Sequence, residues 1–261
     1  MRPTIYIGAL FCALTAVSAC NDDGYGQPTN PAPPTPTAEV VTGNGDVTAL
    51  VTQFRTVLGE PRNGGTVGPV VAGRREVNWD GVPAEFNNGD NKFPAAFFNT
   101  TVKLGLVLST TGTGFRNDTT LFGDLDAGFR DQFAAFSPNK VFSVSNANVM
   151  DVLFQLAGQP TPARVSGFGA VFIDVDLPAN TTLEYFDASG RSLKKIEVPV
   201  RTTASPLSFA GAKFTDAIVA RVRITLGTGA IGAGVKDLSA GGTKDVVVLD
   251  DFLYTEPQPI P

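Results

Sequence analysis

Oxygen ligands crowd one short stretch of this chain. Asn87-Asn88-Gly89-Asp90-Asn91 is a loop of amides around a carboxylate, Asp80 lies just upstream, and Asp250-Asp251 form a pair near the carboxyl end. Asp80, Asn87, Asp90, Asp250 and Asp251 together are a candidate donor set for a structural calcium ion. Calcium takes about six to eight oxygens from carboxylates, amides and carbonyls, and needs neither His nor Cys. Asp174 and Asp176, alternating on one strand face, are a second candidate cluster. The spacing is not that of an EF-hand, whose loop carries further carboxylates and a closing Glu. Asn-Gly also marks tight turns, so turn building is the competing role for the 87–91 loop.

The single tryptophan sits in a second block, Gly73-Arg74-Arg75-Glu76-Val77-Asn78-Trp79-Asp80-Gly81-Val82-Pro83. Read with period two, Arg75, Val77 and Trp79 share one face and Glu76, Asn78 and Asp80 the other. Trp79 is a candidate ligand-binding platform that would stack on the apolar C–H face of a sugar ring. Its alternative is a core tryptophan beside a turn made by Asp80-Gly81-Val82-Pro83. Glycoside hydrolysis needs two carboxyls roughly 5–9 Å apart across a cleft. Glu76, Glu85, Glu184 and Glu197 are available, but no short motif pairs any two of them.

Other chemistries are poorly served. Histidine is absent, which removes the commonest general base and the main zinc and copper ligand. Ser143 and Ser145 lack a nucleophile-elbow context, and Gly112-Thr113-Gly114 is a turn signal rather than a phosphate loop. No catalytic residue is assigned. With 20 Lys and Arg against 25 Asp and Glu, the net charge is −5, and nucleic acid is not an expected partner. Arg74-Arg75 and Lys194-Lys195 are isolated basic pairs that read as ordinary surface charge.

The first twenty residues carry an address. A basic start at Arg2 precedes an apolar run from Ile5 to Val17, then small residues and a cysteine. That is the layout of a secretory signal peptide, too short for a spanning helix. Val17-Ser18-Ala19-Cys20 resembles the lipobox of bacterial lipoproteins. The resemblance implies cleavage before Cys20 and its acylation, hence a lipid anchor in the cell envelope, on the outer membrane or cell surface rather than the inner membrane. Cys12 leaves with the leader, so Cys20 is the one remaining sulfhydryl and no internal disulfide can form. Prolines at 28, 31, 33, 34 and 36 then predict an extended tether over residues 21–45.

The elements that must position these groups are mostly strands. One helix is expected: Asp46 can cap it, Val47, Leu50, Val51, Phe54, Val57 and Leu58 recur at helical spacing, and Gly59 ends it. Beyond it, about ten segments alternate with period two or read as short β runs between Gly- and Asn-rich turns. The expectation is an all-β, antiparallel two-sheet sandwich of jelly-roll type over residues 46–257, with one short N-terminal helix.

The block from Gly73 to Pro83, the run Gly167-Phe168-Gly169-Ala170-Val171-Phe172-Ile173-Asp174-Val175-Asp176 and the tail Asp245-Val246-Val247-Val248-Leu249-Asp250-Asp251-Phe252-Leu253-Tyr254 resemble a group of uncharacterised bacterial exported proteins. The tail is also loosely similar to jelly-roll carbohydrate-binding modules. There an Asp-Asp pair before an apolar residue can ligate structural calcium, so the likeness implies that role for Asp250 or Asp251. The functional expectation is a non-enzymatic lipoprotein whose sandwich binds carbohydrate or another extracellular ligand. The alternatives are an adhesive envelope protein with protein partners, and a carboxylate-based glycoside hydrolase.

Overall fold

The computed structural model describes residues 34–261. The leader, Cys20 and most of the proline tract lie outside the described residues. Strand β1 (Ala38–Asn44) is followed by helix α1 (Thr48–Leu58) and β2 (Arg74–Val77). Next come β3 (Leu106–Thr110), β4 (Gly114–Asp118), β5 (Val141–Ser145), β6 (Val149–Phe154) and β7 (Ala163–Arg164). The chain continues through β8 (Gly167–Ile173), β9 (Thr182–Phe186), β10 (Ser192–Glu197), β11 (Leu207–Phe214) and β12 (Arg221–Thr225). It closes with β13 (Val248–Thr255) and β14 (Gln258–Pro259).

Two antiparallel sheets pack face to face. One has seven strands in the order β1-β11-β8-β13-β5-β4, with β2 also pairing with β13, and the other runs β10-β9-β12-β6-β3. Most connections cross from one sheet to the other, as from β8 to β9 and from β12 to β13, so the expected all-β sandwich is the fold observed. Between the sheets lie Phe168, Phe172, Leu183, Tyr185, Val222, Ile224 and Phe252, all buried.

The seven-stranded sheet is covered on its outer face too. Val51, Phe54 and Leu58 of α1 pack there on Val171, Phe209 and Leu253. Phe122, Phe129 and Phe133 cover a neighbouring patch against Ile173 and Val248. With both faces buried, β8 and β13 lose the polar alternation that β6, half-buried on one face, retains. The helix forms where its spacing predicts: Thr48 N–H donates to Asp46 Oδ1 at 3.0 Å, and Gly59 takes a positive φ of 100° at its end.

Two boundaries differ from expectation. β1 lies inside the stretch read as tether and pairs along its whole length with β11. It pairs with β11 on one side and ends the sheet there, so the folded unit begins well before residue 46. β4 falls directly after a glycine turn and had no separate signal.

Candidate functional site

Trp79 is not a platform. It is fully buried, its ring stacks on Phe142 at 3.8 Å and 8°, and its indole N–H donates to the carbonyl of Asp250 at 2.9 Å. Phe93, Phe98 and Phe252 close around it edge-on. The core reading of this residue is the correct one, because an aromatic between two sheets gains more from burial than from exposure.

The expected calcium ligands do not converge either. Asp90 is exposed and pairs with Arg116. Asn87 Oδ1 accepts from Asn117 Nδ2 at 2.7 Å, while Asp80 sits on the turn whose carbonyl takes the Lys140 ammonium at 2.8 Å. Asp250 and Asp251 lie at a bulge in β13, where the register with β8 shifts between Leu249 and Phe252. Asp250 accepts from the backbone N–H of Phe136 and from the Ser137 hydroxyl, at 2.6 and 2.9 Å. Burial, and then the neighbouring Asp251 charge, push its carboxyl well up. Asp250 and Asp251 share the Ser137 hydroxyl, whereas Asp90 is taken by Arg116 and Asp80 keeps a buried Oδ1 with no hydrogen-bond partner.

Among the described residues, the group of carboxylates close enough to share an ion is Asp174, Asp176 and Asp237. Sequence spacing identified the first two and missed Asp237, which only the return of a distant loop brings in. Asp174 is buried in a left-handed conformation at φ 68°. The Arg201 guanidinium stands between Asp174 and Asp176, with Nε at 2.5 and 2.6 Å. Burial, then the charges of Asp176 and Asp237, raise Asp174 to about 7. Burial likewise raises the nearby Asp245 to about 6. Arg201 is thus the counter-cation of this cluster.

A wide opening lies elsewhere, at the end of β2. A surface groove of about 600 Å³ has one wall at Arg62–Gly65, a polar floor of Glu76 and Asn78, and an opposite wall from Phe97 to Leu104. Arg75 joins the two walls from below. It is wholly buried, donates from Nε and Nη2 to Glu256 at 2.6 and 2.7 Å, and from Nη1 to the carbonyls of Gly64 and Lys103, each at 2.7 Å. Arg74 is buried as well and pairs with Glu76 and Glu60. The basic pair read as surface charge is therefore internal structure, since it borders acidic partners that only the fold supplies.

Glu76 is held by Arg55 through two hydrogen bonds of 3.1 Å and by Arg74 at 2.8 Å. Burial works to raise its pKa, but these guanidiniums outweigh it and keep the carboxyl below the usual range. Arg62 is different. Its side chain is 59% exposed and stands in a loose ion pair with Glu76, whose oxygen at 3.8 Å is beyond hydrogen-bond distance.

No protein-family model matches the chain, and no curated protein matches it. Among solved structures it is similar to TmCBM61 in complex with beta-1,4-galactotriose, at 11% identity, over 65% of this chain and 95% of that one, with a TM-score of 0.28. A likeness that low says nothing of what this chain binds.

Proposed function

We propose that this is a lipid-anchored cell-envelope protein whose sandwich is a non-catalytic carbohydrate-binding module, with the groove at the end of β2 as its binding site. The observation that carries the reading is the groove's lining: an exposed guanidinium, amides and backbone glycines beside the apolar rim of Val102 and Leu104. Planar polar side chains of this kind hydrogen-bond vicinal hydroxyls, while a short apolar rim accepts C–H faces. Recognition here works by hydrogen bonding, because Phe97 and Phe98 in the wall are themselves buried. Hydrolysis is not supported at this site. Glu76 is the one carboxylate in its lining, and Arg55 and Arg74 hold it, so the lining presents no opposed pair of carboxyls.

Affinity electrophoresis of the purified chain against a polysaccharide panel tests the reading. Retardation by at least one glycan, weakened by Asn78→Ala, is expected; uniform migration on every glycan overturns it. Anchoring has its own test. Labelled palmitate and detergent-phase partitioning should follow the wild-type chain and be lost in Cys20→Ser, and a Cys20→Ser chain that still partitions into detergent would remove the anchor.

A further inference from the structure

The groove contains donors without acceptors. Glu76 is saturated by Arg55 and Arg74, and Glu60 pairs with Arg74. Around the groove three guanidiniums, Arg55, Arg62 and Arg74, thus meet two carboxylates, Glu60 and Glu76. The next carboxyl, Asp251, is buried and accepts from the Ser137 hydroxyl at 3.0 Å. Arg62 is left as the excess charge. Asn78 sits beside it on the floor, with Oδ1 accepting from the Asp80 N–H at 2.9 Å, so its Nδ2 hydrogens face no protein partner among the hydrogen bonds it makes. The groove therefore offers positive charge and N–H groups in a molecule whose net charge is −5.

We infer that the groove selects an anionic glycan, with Arg62 forking onto a ring carboxylate or sulfate and Asn78 donating alongside. This rests on the carbohydrate reading and adds the charge class of the ligand. A guanidinium matches a carboxylate or sulfate with two parallel hydrogen bonds, which an ammonium cannot do. A neutral sugar would leave that charge without a counter-ion. The position is also rigid enough to discriminate: Asn63 N–H donates to the Arg74 carbonyl at 2.7 Å, the Arg74 N–H donates to the Pro61 carbonyl at 3.0 Å, and Arg75 ties Gly64 to the core.

The test compares polygalacturonate with neutral galactan by affinity electrophoresis and titration calorimetry, at low and high salt, on the purified wild type, Arg62→Ala and Arg62→Lys. Expected are binding to polygalacturonate that weakens with salt, a loss of about tenfold or more in Arg62→Ala, and a partial loss in Arg62→Lys. Because Arg62 is exposed and its pair with Glu76 is long, both variants should melt close to the wild type, which separates a binding loss from a folding loss. Binding to galactan but not polygalacturonate, or equal polygalacturonate binding by wild type and Arg62→Ala, overturns the anionic assignment and leaves the carbohydrate reading standing. Failure on every glycan removes both.

Discussion

The ring of Phe54 rests on the bare backbone of Gly211, so closely that a Cβ on Gly211 would stand 2.7 Å from the ring's Cζ. Gly169, the register partner of Gly211 on β8, leaves the same room, and a Cβ there would meet the ring at 2.6 Å. Two facing glycines on adjacent strands thus form the seat that lets α1 lie against the sheet. The ring cannot swing clear, because it is fully buried and packs edge-on against Phe209 at 5.3 Å.

Gly211→Ala should therefore destabilise by overpacking, by about 1–3 kcal/mol. Phe54→Ala should cost about 3–5 kcal/mol through the cavity it leaves. The double variant should lose less than the sum, since the shorter side chain relieves the clash. Urea unfolding with an unchanged m value checks all three. A strictly additive double variant would show that the two residues do not compete for one space.

Arg75→Ala should lower stability by about 3–5 kcal/mol, because it leaves Glu256 buried with no cation. The pair is almost wholly buried, with side-chain exposures of 0% and 2%, so salt should change this loss little. Thermal melts at two ionic strengths read both effects. A loss that vanishes at high salt would mean that the pair is open to solvent.

Trp79 is the only tryptophan and is fully buried, so its emission should be blue-shifted and resistant to acrylamide. Saturating glycan should leave that emission unchanged, while unfolding should shift it to the red. A ligand-dependent shift would return Trp79 to the binding site and displace the groove described above.

Acidification should stabilise the fold at first. Burial raises Asp174 to about 7 and Asp245 to about 6, above the unfolded value near 3.8. Their contribution is full below that unfolded value and is lost as pH rises through 6 and 7. Glu76 and Asp124 behave oppositely, because their arginine partners overcome burial and lower them. Their contribution holds above the ordinary carboxylate range and is lost in acid. The melting temperature should climb from pH 8 to about pH 5 and fall below about pH 3. Asp174→Asn should flatten the first slope; an identical slope in that variant would assign the rise to other groups.

The helix and the paired strands were legible because their signals are local. Spacing of Val51, Phe54 and Leu58, and alternation in β6 and β12, depend only on neighbours along the chain. The architecture followed from the same source, since many short strands with one helix leave few ways to bury their faces. β1 was hidden by the prolines before it, whose composition drowned a seven-residue edge strand.

Site residues were harder to read. The oxygen-rich loop at 87–91 and the Asp250-Asp251 pair have the right chemistry, but the loop is spent on Arg116 and Asn117 and the aspartate pair on Ser137. Asp237 joined Asp174 and Asp176 from a segment far along the chain. Arg62, Asn78 and the wall from Phe97 to Leu104 carry no shared motif, so no spacing announces the groove.

By itself, the sequence determined the helix, the strand content and the lack of histidine chemistry, and it raised the expectation of an envelope address at Cys20. These are properties of residue type and local order. Only the tertiary structure decided that Trp79 and Arg75 are internal while Arg62 stays exposed. Burial and charge pairing depend on which distant segments meet, and a guanidinium beside Glu256 differs from one facing solvent only in that company.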